Sequence, residues 1–201
     1  MDNTMYLSRF LIPKQQMLKR RVFSEYDLHK LIWTCFPDRP DEKRSFLFRT
    51  EELSSGIQIL LLSREQPVPI PFAAWDGTKS FSASFAAGSL FMFRLKANPV
   101  QRGSADRKLH AITNEAALSD WLHRKADRHG FSLKSVPEFS ACHLAAFSKK
   151  QNQAQIALNI VDISGVLSVT DADAFAAAVR NGIGRGRAFG CGMLLLRRIE
   201  L

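Results

Sequence analysis

The sequence predicts an α+β fold built as two consecutive units of one design, and three observations carry that prediction. Short apolar runs of strand length recur along the whole chain, from MYLSRFLI at 5–12 to the closing MLLLRRI at 193–199. Amphipathic helical stretches interrupt them, each preceded by a side chain able to cap it. A small-residue segment, AAGS at 86–89, separates a first set of elements from a second. With 201 residues, 46% of them hydrophobic, each half can bury a core of its own.

The first strand is expected over Met5–Ile12, with KQQMLKRR as a basic connector behind it. Ser24 stands as an N-cap and Asp27 three residues on as a short capping box. The helix they open runs from about Glu25 to Phe36, where Pro37 and Pro40 stop it. Strands follow at about Ser45–Glu51 and Ile57–Arg64. The segment QPVPIPF, with Pro67, Pro69 and Pro71, must be irregular or polyproline-like. KSFSASFA at Lys79–Ala86 alternates apolar and polar, as a half-buried strand does.

In the second half Leu90–Ala97 reads as a strand and NPVQRGSADRKLHAI as a basic loop or hairpin. Thr113 or Asn114 caps a helix to about His129, ended by Gly130, and weaker strands lie between Phe131 and Phe147 around Pro137. After the polar turn SKKQN comes a long strand, Gln153–Val169, with Gly165 as a candidate break. Thr170 or Asp171 caps ADAFAAAVRN, Gly182 closes it, and a glycine-rich loop leads to the strand Met193–Ile199. Each half is thus strand, helix, strands, a second crossover and a closing strand, with that crossover helical only in the second half. This is the outline of two tandem ferredoxin-like (RRM-like) domains, 1–87 and 88–201.

Lys plus Arg number 28 against 19 Asp plus Glu, a formal charge of +9. A folded chain this basic points to a polyanion, nucleic acid ahead of a membrane surface. The start MDNTMYLSRFLIPK lacks the pattern of a signal peptide. No run approaches the roughly 18 apolar residues of a membrane span, so no membrane partner is expected. Cys35, Cys142 and Cys191 are odd in number and widely spaced, without C-x-x-C, and the five His form no ligand set. That fits a reduced cytoplasm, with neither metal nor cofactor expected.

Three features could carry chemistry. On the helix SEYDLHKLIWTCF, Leu28, Leu31, Ile32, Cys35 and Phe36 form one apolar stripe, with Tyr26, His29 and Trp33 as a strip beside it. A hydroxyl and an imidazole one turn apart at the edge of the core suit proton transfer near neutrality. They equally suit an amphipathic helix whose boundary residues happen to be aromatic. The loop from Gly182 to Gly192 holds five glycines with Arg185 and Arg187. Its order of helix, glycines, strand is wrong for a dinucleotide fingerprint, which needs strand, glycines, helix, and no phosphate-loop motif is present. What remains is close backbone approach to a ligand at residues such as Gly184 and Gly186, or a helix cap with a flexible connector. The third feature is basic connectors: Lys96, Arg102, Arg107 and Lys108 in one loop, Lys149 and Lys150 in a polar turn, and Lys14, Lys19, Arg20 and Arg21 before the His29 helix. Clusters on connectors favour phosphate contacts, and no exposed aromatic run predicts base stacking on a sheet. No Ser-His-Asp spacing, H-E-x-x-H or carboxylate pair is visible, so a nuclease of this kind works without metal. In RNA the neighbouring 2′-hydroxyl is a built-in nucleophile, and a proton shuttle with cations suffices.

Several stretches together resemble the CasE-type CRISPR repeat-processing endoribonucleases: MYLSRFLI, YDLHKLIWTCFPDRPDEKRSFLFR, FRLKANP, SGVLSVTDADAF and GIGRGRAFGCGMLLL. The resemblance runs in order from Met5 to the C-terminus and is specific through the combination of FP-x-RP and G-x-G-x-x-x-x-G-C-G. It implies tandem ferredoxin-like domains and metal-independent cleavage at the base of a repeat hairpin. The products it implies are a 2′,3′-cyclic phosphate and a 5′-hydroxyl. It also implies lasting attachment to the CRISPR repeat stem-loop RNA and to other Cascade subunits, the backbone subunit first. On this resemblance His29 matches the catalytic histidine and Tyr26 the tyrosine one turn before it. Residues 96–110 match the basic hairpin that grips the stem, here with Gly103 in it. The loop at 182–192 matches one lying near RNA, with Arg185 and Arg187 as phosphate contacts.

Overall fold

The computed structural model describes residues 4–37, 44–140, 143–147 and 156–200. The chain divides into a first unit of Met1–Ala83 with Ala188–Gly190 and a second of Ser84–Arg187 with Cys191–Leu201. The division falls ahead of the expected 87/88 boundary. The reason is Phe85, whose ring meets Phe91 at 5.8 Å and Phe175 at 4.8 Å and so packs into the second core.

In the first unit, β1 (Thr4–Pro13) leads through α1 (Lys14–Arg20) and α2 (Glu25–Trp33) to β2 (Phe46–Leu53), β3 (Gly56–Ser63) and β4 (Ala74–Ser82). The sheet order is β2-β3-β1-β4 with every pair antiparallel, the ferredoxin-like arrangement. Phe10, Ile12, Phe46, Phe48, Ile59 and Leu61 point from the sheet onto Leu28, Ile32 and Cys35 of the helix layer. Full burial of one such aliphatic side chain stabilises by about 1.5–3 kcal/mol.

Three details differ from the sequence reading. The expected connector is the short helix α1, made of good helix formers but burying none of its residues, so no periodicity announces it. Regular α2 stops at Trp33; the chain continues through Phe36 on tighter bonds, Thr34 N to Leu31 O, Cys35 N to Ile32 O and Phe36 N to Trp33 O, each 3.0 Å. Pro37 disfavours helical backbone at the residue before it, which accounts for the tightened end. β4 lies earlier than expected because Trp75 stacks on Phe10 at 4.5 Å and Asp76 pairs with Arg9, across a bulge at Arg9/Phe10. The proline segment before it has no helix, as its composition requires; Ile70 fills the core instead.

The second unit repeats the design. It runs β5 (Leu90–Ala97), β6 (Val100–Arg102), β7 (Leu109–Ala111), α3 (Glu115–Arg128), β8 (Phe131–Leu133), β9 (Glu138–Phe139), β10 (His143–Phe147), β11 (Ile156–Val169), α4 (Ala172–Asn181) and β12 (Leu194–Arg198). The main sheet has the order β10-β11-β5-β12, again antiparallel throughout, with β8 and β9 also on β11. Asn114 caps α3, accepting from Ala117 N at 2.8 Å, and Asp171 caps α4, accepting from Asp173 N and Ala174 N at 3.0 Å. β11 does not break at Gly165, which pairs with Phe93; a Cβ there would lie 3.1 Å from the Phe93 ring. Both crossovers are helical here, and α3 and α4 cover one sheet face through Leu118, Trp121, Leu122, Phe175 and Val179. Among the described residues no helix is long and apolar enough to cross a membrane.

Candidate active site and nucleic-acid interface

α2 positions the first candidate group. The Ser24 hydroxyl donates to Asp27 Oδ2 at 2.8 Å and accepts from Asp27 N at 3.2 Å, so the helix start is locked reciprocally. Burial alone would raise the Asp27 carboxyl, but Ser24, Lys30 and the Phe23 N–H together hold it below its usual range. From that start, Leu28 and Ile32 turn into the core while Tyr26, His29 and Trp33 come to lie half-buried along its edge.

His29 is set among rings of the first unit. Trp33 lies edge-on to it with centroids 6.2 Å apart, Phe46 is at 6.0 Å and Phe189 at 6.2 Å. The Trp33 indole N–H donates to His29 Nε2 at 3.1 Å. An indole only donates, so this nitrogen is the acceptor and the neutral ring carries its proton on Nδ1. Trp33 is itself held by Phe46, 5.1 Å away and nearly perpendicular, and Phe46 stacks on Phe36 at 5.2 Å. Tyr26 lies one turn before His29, its ring under the Lys30 ammonium at 4.8 Å. An imidazole fixed at the edge of an apolar layer beside a phenol can exchange a proton with a ligand while water is partly excluded.

The β6–β7 hairpin holds the exposed Arg102, Arg107 and Lys108, with Lys96 half-buried on β5. Arg102 Nη1 donates to Arg107 O at 2.9 Å and Gly103 N to Lys108 O at 2.8 Å, so Arg102 braces the hairpin from within. His110 and then the Lys108 N–H hydrogen-bond the Asp106 carboxylate and hold it below its usual range. A Cβ at Gly103 would meet the exposed side-chain ends of Asp106 (Oδ1, 2.5 Å) and His110 (Nε2, 2.9 Å), which would have to shift to admit it.

In the glycine-rich loop, Gly182, Gly184, Gly186, Gly190 and Gly192 all have φ between 77° and 86°, a region that L side chains rarely adopt. Asn98 and Arg185 form a single antiparallel bridge, and Gly192 N donates to Lys96 O at 2.7 Å, which fastens the loop to the end of β5. Arg187 Nη1 donates to Asn181 O at 2.7 Å, closing the end of α4, while Arg185 is exposed. Lys149 and Lys150 lie outside the described residues.

The structure therefore brings Tyr26 and His29 onto one helix edge, and gathers Lys96, Arg185, Gly186 and Arg187 around the glycine-rich loop. Sequence reasoning missed the Trp33 bond to His29, the approach of Phe189, and Arg49, which is 2% exposed with its Nε 3.7 Å from Glu51. The i,i+4 spacing of His29 and Trp33 was the available signal for the first; nothing local announces the other two. Among the described residues no three His, Cys, Asp or Glu side chains converge as a metal site.

Comparison with known proteins yields one consistent group. The family model described as CRISPR associated protein matches residues 5–198. The chain is 32% identical to the CRISPR system Cascade subunit CasE of Escherichia coli strain K12, over 96% of this chain and 98% of that protein. It is 25% identical to the CRISPR-associated endoribonuclease Cse3 of Thermus thermophilus, over 94% of this chain and 98% of that one. The structure of Thermus thermophilus Cse3 bound to an RNA representing a pre-cleavage complex superposes with a TM-score of 0.83 at 23% identity, covering 96% of this chain and 99% of the other.

Proposed function

The chain belongs to the family of CRISPR associated proteins, and we propose that it is a metal-independent endoribonuclease that cuts repeat hairpins in precursor CRISPR RNA. It stays on the stem-loop it makes and joins a Cascade complex, its backbone subunit the first neighbour. The two relatives, one named an endoribonuclease and one a Cascade subunit, support the activity and the assembly. The observation that carries the chemistry is His29: an imidazole held by Trp33 among three rings, one turn after Tyr26, on a chain of charge +9.

In this reading the 2′-hydroxyl before the cut attacks the adjacent phosphorus. The O2′–P bond forms, the P–O5′ bond breaks, and a 2′,3′-cyclic phosphate and a 5′-hydroxyl result. One proton leaves O2′ and one reaches O5′; His29 carries proton transfer and Tyr26 hydrogen-bonds a reacting oxygen. Lys96, Arg102, Arg107, Lys108, Arg185 and Arg187, with Lys149 and Lys150, supply phosphate contacts, and Gly184 and Gly186 let backbone come close. Proton transfer of this kind contributes about 10²–10⁴ in rate.

The test is cleavage of the cognate repeat hairpin in EDTA, beside a copy with a single 2′-deoxy at the cut site. The expected result is cleavage of the first alone, slowed by about 10²–10⁴ in His29→Ala with hairpin affinity kept. Tight binding without cleavage of either RNA would leave a hairpin-binding assembly subunit instead. Undiminished cleavage by His29→Ala would remove His29 from the chemistry.

A further inference from the structure

The last two turns of α3 bring three cations that the roles above leave unused, Arg124, Lys125 and Arg128, beside Arg187 of the glycine-rich loop. Arg124, Lys125 and Arg128 follow Trp121 at helical spacings, so all four share one stripe of α3, and His129 caps its end. Lys125 Nζ stands 5.6 Å from the Trp121 ring centroid. The loop lies against the same ring: a Cβ at Gly184 would be 3.3 Å from Trp121 Cζ2. Arg187, its Nη1 tied to Asn181 O, completes the group from the loop side.

These charges are not neutralised locally. Among the described residues, none of Arg124, Lys125, Arg128 or Arg187 has a carboxylate oxygen within 4.0 Å. Asp120 and Asp127 are on the same helix, yet neither closes a pair with them. The crowding registers on the titratable members. Burial, then the Arg128 and Arg124 charges, hold the Lys125 ammonium below its usual range. Burial, then Lys125, Arg128 and Arg187, do the same to the His129 imidazole. A helix C-terminus favours cations, which explains Lys125 and Arg128 in the last turn. It does not explain Arg124 a turn earlier, nor Arg187 arriving from another element.

We propose that the Arg124–Lys125–Arg128 stripe and Arg187 form a phosphate-binding track that carries the RNA backbone along α3, continuous with the glycine-rich loop. A polyanion is the ligand class that answers several unpaired cations at once, and it gains by releasing its own counterions. Arg124 and Arg128 are separated by one turn, about 6 Å of helix rise, comparable to the step between successive phosphates on one strand. No aromatic ring is exposed on the stripe, since Trp121 is 4% exposed, so the track grips backbone and reads no base. The inference rests on the RNA-cutting reading for its ligand, and it adds α3 to the surface that holds that ligand.

The experiment compares the full-length chain with Arg124→Gln/Arg128→Gln, both exposed positions, and separately with Lys125→Met, which keeps the stem against Trp121. Affinity is measured from 50 to 200 mM salt for the 2′-deoxy repeat hairpin and for a scrambled stem. Each phosphate contact removed lowers the salt slope by about 1. Over that fourfold range a slope lower by about 2 makes the double variant lose about 16-fold less affinity than the parent. The loss at low salt should be equal for the two RNAs, as contacts to backbone require. Slopes identical to the parent in both variants would overturn the track, while cleavage by the parent would still stand. A parent that shows no preference for the repeat, with variants that still lose slope, would overturn the repeat-cutting reading and keep the track. Slopes unchanged with loss only of co-purifying Cascade neighbours would assign the stripe to a protein surface and overturn it.

Discussion

Gly186→Ala separates the two explanations of the glycine-rich loop, backbone handedness and close approach of RNA. At Gly186, φ is +78°, and an added Cβ would meet Asn98 Cβ, Cys191 Cβ and Cys191 Sγ, each at 3.4 Å, which is ordinary contact. The substitution therefore costs the left-handed conformation alone, about 1–2 kcal/mol. Gly192→Ala is the internal comparison. Its Cβ would lie 2.8 Å from Ile183 O and from Arg187 Cγ. The residue cannot move aside, because its N–H donates to Lys96 O at 2.7 Å and its carbonyl accepts from Ile183 N at 2.9 Å. Losing one of those bonds adds about 0.5–1.5 kcal/mol, for about 1.5–3.5 kcal/mol in all. In a chain of this size each kcal/mol moves the melting point by about 2–4 °C. Expected shifts are therefore about 2–8 °C for Gly186→Ala and about 3–14 °C for Gly192→Ala. Urea and thermal unfolding give the stabilities; hairpin affinity is read on 2′-deoxy RNA well below the melting point. Gly186→Ala should then bind the hairpin at least tenfold more weakly although the fold is intact. Full affinity with the small stability loss would refute close approach at this residue and leave handedness as the whole reason for the glycine.

Trp33→Phe keeps a ring against Phe46 but removes the donor to His29 Nε2. One neutral hydrogen bond of about 0.5–1.5 kcal/mol predicts a single-turnover cleavage rate about 2- to 13-fold lower, with hairpin affinity unchanged. A rate equal to the parent's would mean that aromatic packing alone orients the imidazole. Burial pushes the Cys35 thiol up to about 12, so at pH 8 it holds almost no thiolate. Iodoacetamide at pH 8 should leave Cys35 unmodified in the native chain and label it only on unfolding. Peptide mapping that finds rapid native labelling at Cys35 would contradict its burial beneath the sheet.

Legibility in the sequence followed the physical source of each feature. The α2 stripe was readable because Leu28, Ile32, Cys35 and Phe36 bury one face of a helix opened by a side-chain cap, and both are local signals. The strand β5, Leu90–Ala97, was readable to the residue for a similar reason: Phe91, Phe93, Leu95 and Ala97 alternate with exposed or half-buried neighbours. The helix α1 was not, since none of its residues is fully buried and only Met17 packs partly on the core, and neither was the start of β4, which depends on Trp75 finding Phe10 far away in sequence. At the candidate site, the strip of Tyr26, His29 and Trp33 could be drawn from spacing, but the bond within it could not. Phe189 beside His29 and the burial of Arg49 are products of tertiary folding alone.

The two units share one sheet order and differ in what covers the sheet. In the second unit both crossovers are helices, and α3 and α4 bury their inner faces on β5 and β11. Basic side chains of this unit lie on the β6–β7 hairpin, along α3 and in the loop after α4. In the first unit the second crossover is a proline-rich strap whose Ile70 fills the core and whose Phe72 lies beneath the Arg20 guanidinium at 3.4 Å. Val68 N donates to Cys35 O at 2.9 Å, pinning the strap to the end of α2. The edge of α2 stays half-open, and Tyr26, His29 and Trp33 occupy that edge. The His29 imidazole there is half-buried and held by the rings of Trp33, Phe46 and Phe189. In the reading proposed above, proton transfer is assigned to the first unit and backbone grip to the second, and the two units differ in that the first carries a proline-rich strap where the second carries a helix.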